Sequence, residues 1–290
     1  MGPTPASPGL PPLVTVRVTE DGPVLCEPCA AFVRADDLGV LRGDGVFERF
    51  IVRAGRPRHL EDHLARLVRS AEQLDLGLPE PEAWKAAVER GVRAWTGTPE
   101  WEMRLVCTRG PEEGGPPSAY ALGQELSPRV LSQRRDGVAI VSLTRDMPSP
   151  VATEAPWLLL GAKTLSYAVN MAALRWARCH GADDAVFVGT DGRVWEGPTS
   201  SVVAAFGRSL VSPPPSVGIL ASISTAHLFE DAHRAGWEVA RRDLTVEDLL
   251  VADCVWLSSS LRLARVHTLD GKDLGAAAVH DEIAAVAAAS

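Results

Sequence analysis

The sequence predicts a mixed α/β (α+β) protein arranged in two halves. Short runs rich in Val, Ile and Phe, of strand type, alternate with stretches whose apolar residues recur at helical spacing. A segment dense in Gly, Pro and Ser at residues 110–128 separates the halves. The 290 residues are 46% hydrophobic and 23% charged, which suits one large or two medium folded domains and excludes a largely disordered chain. The boundaries that follow are a tail at 1–12, an N-terminal α/β domain at 13–126, a linker at 127–132 and a C-terminal α/β domain at 133–290.

Each element has its own warrant. Residues 1–12 are proline-rich with little that packs, the composition of a disordered tail. Strands are predicted at 15–19 and 45–53, the second carrying Val46, Phe47, Phe50, Ile51 and Val52. From Leu60 the period changes: Leu60, Leu64, Leu67, Ala71 and Leu74 mark an amphipathic helix stopped by Gly77 and Pro79. A helix at 81–95 and a strand at 102–108 complete the first half, and 110–128 reads as loop and linker. The second half opens with a strand at 138–143 and a helix at 167–180 stopped by Gly181. Residues 185–188 and 193–195 read as a hairpin turning at Asp191-Gly192. A helix at 225–236, a helical turn at 246–250, a strand at 254–257 and a frayed alanine-rich helix follow.

A net charge of -8 without a basic stripe argues against general nucleic-acid or anionic-membrane binding, so an anionic substrate needs a local arginine cluster. With no membrane-length apolar run and no leader, a cytoplasmic location is expected. Cys26-Glu27-Pro28-Cys29 has the gap of a zinc knuckle, but no second pair lies at a suitable distance. Reduced thiols and no metal are the reading.

Two motifs carry chemistry. Gly161-Ala162-Lys163-Thr164-Leu165-Ser166-Tyr167 offers an amine able to form a Schiff base, and Trp195-Glu196-Gly197-Pro198-Thr199-Ser200-Ser201 a carboxylate able to hold a ring nitrogen protonated. Around them, in order, stand Arg42-Gly43-Asp44-Gly45-Val46-Phe47-Glu48, His63-Leu64-Ala65-Arg66-Leu67, Arg104-Leu105-Val106-Cys107-Thr108-Arg109-Gly110, Gly218-Ile219-Leu220-Ala221-Ser222-Ile223-Ser224 and Leu257-Ser258-Ser259-Ser260. With these segments the chain resembles the class IV pyridoxal-phosphate aminotransferases over about residues 33–271.

The resemblance implies a two-domain fold type IV enzyme, a homodimer, with pyridoxal 5'-phosphate as cofactor. It implies that Lys163 holds the cofactor and serves as general base, and that Glu196 pairs with the pyridine nitrogen. Tyr167 matches the tyrosine at the cofactor's phenolate oxygen, the alternative being a tyrosine that packs at a helix start. Arg66 matches the phosphate arginine; read without the family, His63 and Arg66 are the solvated face of a helix. Ile223 and Ser224 open a helix whose amides can bind the phosphate, Leu220 lies against the ring, and Ser259 is a further hydroxyl donor. Ser201 and Ser222 depart from the Asn and Gly usual there.

Within the family, Thr108-Arg109-Gly110, the short spacing from Lys163 to Tyr167 and the overall length look most like 4-amino-4-deoxychorismate lyase, which forms 4-aminobenzoate and pyruvate. Phe47 lacks the hydroxyl that D-amino acid transaminases place there, and Arg104-Leu105 replaces the Arg-Pro of branched-chain enzymes. Phe47 matches a pocket residue, and strand alternation puts Arg49 on its face, either as a substrate-carboxylate partner or as a solvated side chain. Arg104 and Arg109 are further candidates for an anionic amino substrate. A transaminase acting on D- or branched-chain amino acids and an inactive cofactor-binding paralogue remain alternatives.

Overall fold

The computed structural model describes residues 12–27, 30–145, 155–275 and 277–289. The predicted tail, apart from its last residue, and Cys29 lie outside them. The described chain forms two units: one comprises the residues up to Ser127 together with Lys163–Leu165, the other Pro128 to Ala162 and Ser166 onward.

The first unit contains β1 (Leu13–Thr19), β2 (Gly22–Cys26), α1 (Leu38–Arg42), β3 (Gly45–Arg53), β4 (Arg56–Pro57), α2 (Leu60–Gln73), α3 (Pro81–Ala94), β5 (Glu100–Thr108) and β6 (Ala119–Glu125). Its strands form one antiparallel sheet in the order β2-β1-β6-β5-β3-β4. Alternation gives the sheet two different faces. Val46, Phe50 and Val52 of β3 and Trp101, Met103, Leu105 and Cys107 of β5 pack with Leu64, Leu67, Ala71, Trp84 and Val88 of the helices. The helices form there because their apolar residues recur every three or four positions. Glu61 and Asp62 favour the first turn of α2, and Pro81 starts α3 where its missing N–H costs nothing.

Strand β6 corrects the reading of 110–128 as loop. It lies between β1 and β5, paired over its whole length. Its inward residues are Ala119, Ala121 and Gly123, small because a Cβ at Gly123 would stand 2.4 Å from Trp101 and 2.6 Å from Val14. The strand therefore lacks the β-branched signal by which strands are read. Residues 127–132, expected as a linker, enter helix α4.

The second unit contains α4 (Pro128–Asp136), β7 (Val138–Arg145), α5 (Ala168–Cys179), β8 (Asp184–Gly189), β9 (Ser201–Phe206), β10 (Ser209–Ser212), α6 (Ile223–Arg234), β11 (Glu238–Arg241), α7 (Val246–Val251), β12 (Cys254–Ser259), β13 (Arg262–Leu269), β14 (Lys272–Asp273) and α8 (Ala277–Ala289). The sheet order is β11-β10-β9-β12-β13-β7-β8, with β14 on β13. Pairing is parallel between β7 and β8, β7 and β13, and β10 and β11. In β9, Val202 and Ala204 face one core and Val203 and Ala205 another. A strand buried on both faces shows no polar alternation, which is why the pattern did not mark it.

Burial pushes the thiol of Cys107 up to about 12 and that of Cys254 to about 11, so both are inert. Among the described residues no helix is long and apolar enough to cross a membrane.

Helix α8 is anchored rather than frayed: Ile283 is fully buried, and the Trp256 Nε1–H donates to His280 Nδ1 at 3.0 Å. Indole nitrogen only donates, so this bond needs a neutral imidazole. Burial and Arg265 hold the His280 pKa below its usual range, with Asp281 opposing. The unfolded chain therefore takes this proton first, and stability rises with pH up to about 6.5 and is lost below it. Thermal melts from pH 8 to 5 should show a His280→Gln variant, whose amide oxygen still accepts, losing less stability on acidification than the parent. The difference is of the order of the ~1–3 kcal/mol that an orphaned buried donor costs.

Candidate active site

Lys163 reaches the first unit by pairing its backbone with the free edge of β3. The Phe47 N–H donates to the Lys163 carbonyl at 3.0 Å, and the Leu165 N–H to the Gly45 carbonyl at 2.8 Å, around a bridge between Val46 and Thr164. The Lys163 N–H also donates to Ser70 Oγ of α2 at 3.1 Å. Gly45 allows the approach, since a Cβ there would stand 2.8 Å from Leu165 Cδ1 and 2.6 Å from the Cys107 carbonyl oxygen. In an antiparallel pair opposed residues share a face, so Lys163 stands beside Phe47, with Nζ 4.6 Å from the ring centroid.

On that face the next rung carries two arginines. Arg49 lies directly opposite Arg104, while Phe47 lies opposite Val106 and Val106 opposite Tyr120. Arg49 is ion-paired with Glu102, whose other oxygen accepts from Gln124. Arg104 Nε is buried without a hydrogen-bond partner among the described residues. Arg109 is placed differently, past the end of β5, where Asp44 Oδ2 at 2.7 Å and the carbonyls of Leu74 and Asp75 take its donors. The structure thus groups Lys163, Phe47, Arg49 and Arg104 and leaves Arg109 outside.

The opposite face of β3 holds a buried ionic cluster. Glu48 accepts from Arg66 Nε at 2.6 Å and Nη2 at 2.8 Å, and lies 2.7 Å from His63 Nδ1. His63 and Arg66 are only 1% and 5% exposed, so the reading of them as a solvated helix face does not hold. Burial by itself would raise the Glu48 pKa, but the charges and hydrogen bonds of Arg66 and His63 bring it down to about 2. Burial lowers that of His63, against the pull of Glu48, so the imidazole is neutral near pH 7. Glu48 played no part in the sequence reading of the site, although two of its hydrogen bonds aim Arg66.

In the second unit, the predicted return limb of the hairpin is irregular but still positions Glu196. The Phe187 N–H donates to the Glu196 carbonyl, and the Trp195 N–H to the Phe187 carbonyl, both at 2.9 Å. The Leu220 N–H donates to Glu196 Oε2 at 3.3 Å, which joins these two predicted residues. Ser222 caps α6 by accepting from the Thr225 N–H at 3.1 Å, so serine replaces the expected glycine with a capping role. Ile223 and Ser224 form the first turn, and Ser224 Oγ donates to the hydroxyl of Ser260 at 3.3 Å. Ser260 follows directly on Ser259, the further hydroxyl donor that the resemblance implies. Tyr167 precedes α5 as its N-cap residue, its carbonyl accepting from the Met171 N–H at 2.9 Å. Ser200 Oγ, which the sequence reading missed, is buried and without a hydrogen-bond partner among the described residues. The paired hydroxyls at a helix start suit a phosphate, and the half-buried carboxylate of Glu196 suits a protonated ring nitrogen.

The amino-transferase class IV family matches residues 45–268, and the chain belongs to that family. A bifunctional aminodeoxychorismate lyase / D-amino acid transaminase of Mycobacterium tuberculosis is 45% identical over 267 residues, 89% of this chain and 92% of that protein. The solved PLP-bound form of a hypothetical aminotransferase from M. tuberculosis superposes with a TM-score of 0.91 at 42% identity, covering 96% of this chain and 98% of that one. A fold IV-transaminase from Curtobacterium pusillum gives 0.89 at 38% identity with the same coverages. The fold is that of the type IV aminotransferases.

Removing the Glu48 charge leaves Arg66 buried without its carboxylate. Glu48→Gln should lower the unfolding free energy by about 3–5 kcal/mol in urea titrations at pH 7. Since the Glu48 pKa is depressed, its contribution is complete above about 4.5 and fades as pH falls toward 2. The gap between variant and parent should therefore narrow below pH 4.5.

Proposed function

We propose that this class IV family member is a pyridoxal-phosphate enzyme that converts 4-amino-4-deoxychorismate to 4-aminobenzoate and pyruvate in the cytoplasm. The observation that carries the reading is the pair of arginines one strand rung from the Lys163 amine, with Glu102 ion-paired to one of them. An amine beside such a pair fits an amino substrate bearing carboxylates. The lyase name of the 45% identical relative supports it.

The roles fall to each unit separately. Lys163 would hold the cofactor and, once the substrate amine has displaced it, remove the proton from the carbon bearing that amine. The Phe47 ring under Nζ limits its hydration and orients it. In the first unit Arg66, aimed by Glu48, is the donor suited to a phosphate, and in the second the hydroxyls of Ser224 and Ser260 are. Glu196, held by the Leu220 N–H, would keep the ring nitrogen protonated, and Tyr167 would donate to the phenolate oxygen. Pyridoxal phosphate, when bound, supplies an electron sink for negative charge on the carbon next to the substrate amine. Aromatisation drives loss of the enolpyruvyl group, so orientation and charge stabilisation are what the protein must supply.

A transaminase acting on D-amino acids is the second reading, favoured by the double name of the same relative. Both readings use the same Lys163 chemistry. The purified, cofactor-loaded protein should release 4-aminobenzoate and pyruvate from 4-amino-4-deoxychorismate, and Lys163→Ala should abolish this. Glutamate formed from 2-oxoglutarate and D-alanine without any aminobenzoate would replace the lyase reading with the transaminase. Silence with every substrate despite bound cofactor would support the inactive paralogue.

A homodimer is part of the proposal. Helix α5 leaves Val169 67% and Trp176 46% exposed on one side, and Trp157 nearby in sequence is 75% exposed. Apolar exposure of this kind marks an association surface. Trp176→Glu should shift the protein from dimer to monomer in sedimentation velocity, while a substitution of exposed Glu89 on α3 should not.

A further inference from the structure

Strands β10 and β11 run parallel, joined through α6, and their carboxyl ends open on a cleft of about 390 Å³. At that end of a parallel pair the departing connections diverge and leave a crevice, which is where α/β sheets hold ligands. The volume is that of a small-molecule site. One wall is the turn after β10, with Pro214, Ser216 and Val217. The other is Arg241, Arg242 and Asp243, where the chain leaves β11, and Arg193, whose backbone bridges to Thr245, completes the lining. These residues are distinct from the lysine, carboxylate and hydroxyl groups that suit the cofactor.

The three arginines are not equivalent. Arg193 is shared between Asp243 at 3.3 Å and Asp191 at 3.7 Å. Arg241 donates from Nη1 to Ser212 Oγ at 2.9 Å and to the Pro213 carbonyl at 3.5 Å, and Arg242 from Nη1 to the Asp243 carbonyl at 3.3 Å. Neither has a carboxylate partner among the described residues. The Nε–Nη2 edge of both, which can grip an oxyanion with two parallel bonds, makes no hydrogen bond among them either. Burial of part of the Arg241 side chain holds its pKa below the usual arginine value, and no neighbouring acid opposes this. A cation partly withdrawn from water without a counter-charge is a cost that a bound anion relieves.

The directions of approach select the anion. Consecutive residues of a strand face opposite sides of the sheet. Arg241 lies over the Phe229 ring, 4.7 Å from its centroid and in the core on one face, and Arg242 over the Phe206 ring at 4.9 Å, against the core on the other. The two guanidiniums therefore come from opposite sides rather than in one plane. A carboxylate offers its lone pairs in a single plane, whereas a phosphate presents oxygens in several directions and can meet both edges at once. The cleft has room for more than the phosphate, and Pro214 and Val217 give it an apolar wall.

We propose that this cleft is a binding site for a small phosphomonoester, with Arg241 and Arg242 on the phosphate oxygens and Pro214 and Val217 against the organic part. The site goes beyond the proposed reaction and stands whether the enzyme is a lyase or a transaminase.

The test is isothermal titration of the cofactor-loaded enzyme, whose own phosphate site is filled, with phenyl phosphate, inorganic phosphate and benzoate at pH 8 and matched ionic strength. Binding lost in Arg242→Gln is assigned to the cleft, so benzoate held elsewhere does not count. Phenyl phosphate should bind at one site per chain and more tightly than inorganic phosphate. Arg242→Gln should weaken it roughly 10-fold, the low end for a lost hydrogen bond to a charged group because the cleft is open to solvent. Arg242→Lys, which keeps the charge but not the fork, should restore part of the affinity. Arg241→Gln should also weaken binding, and Arg234→Gln, at an exposed arginine of α6 outside the cleft, should bind as the parent does. Phenyl phosphate affinity unchanged in both Arg242→Gln and Arg241→Gln, an equal loss in Arg234→Gln, or benzoate showing the same Arg242 dependence would overturn the assignment. Inorganic phosphate bound as tightly as phenyl phosphate would overturn the phosphomonoester in favour of free phosphate. Phosphate bound only by the cofactor-free protein would place it at the cofactor's own site and overturn the cleft.

Discussion

Two backbone hydrogen bonds decide where the reactive amine stands. With Phe47 paired to Lys163 and Gly45 to Leu165, side chains 163 and 47 must rise from the same face of the sheet. A slip of one residue would turn Lys163 to the side where Glu48 is buried, because the side-chain period of a strand is two. The Ser70 hydroxyl accepting the Lys163 N–H and the missing Cβ of Gly45 both hold the register. The amine, the Phe47 ring and the arginines one rung on thus inherit their spacing from ordinary sheet geometry.

The other face of β3 solves a different problem. Glu48, His63 and Arg66 lie among Val46, Phe50, Leu64 and Leu67, where an apolar trio of the same volume would cost less to bury. What the ionic arrangement supplies is direction. Two parallel bonds from a planar guanidinium to one carboxylate leave Arg66 little rotational freedom, and His63 fills the remaining acceptor position while neutral. One strand therefore serves two ends through adjacent residues: Phe47 and Arg49 toward the amine, Glu48 toward the helix that carries Arg66.

Much of this was legible in order along the chain. The span of β3 and the start of α2 were marked by a change of period from two to three or four, and Lys163 and Glu196 by the motifs around them. Strands β6 and β9 were not, because one is built of small residues under Trp101 and the other is covered on both faces. The partners of charged side chains were also hidden. Nothing local to Arg49 announces Glu102, 53 positions away, and nothing near Arg109 shows that Asp44 and two carbonyls occupy it. Ser260 meets Ser224 because the first turn after β12 sets the direction of its side chain, which a run of three serines cannot reveal.

The short excursion of residues 163–165 has a consequence for biosynthesis. All other strands of the first unit are translated before Ser127 leaves the ribosome, yet the edge of β3 at Gly45–Phe47 waits for three residues encoded thirty-six positions later. During that interval the nascent sheet presents unsatisfied N–H and C=O groups beside Phe47, the kind of edge on which chains pair wrongly with one another. The charged rung of Arg49 and Arg104 lies next to it, and repulsion between copies discourages such pairing. The arginine rung one step from the reactive amine thereby also guards the unfinished chain.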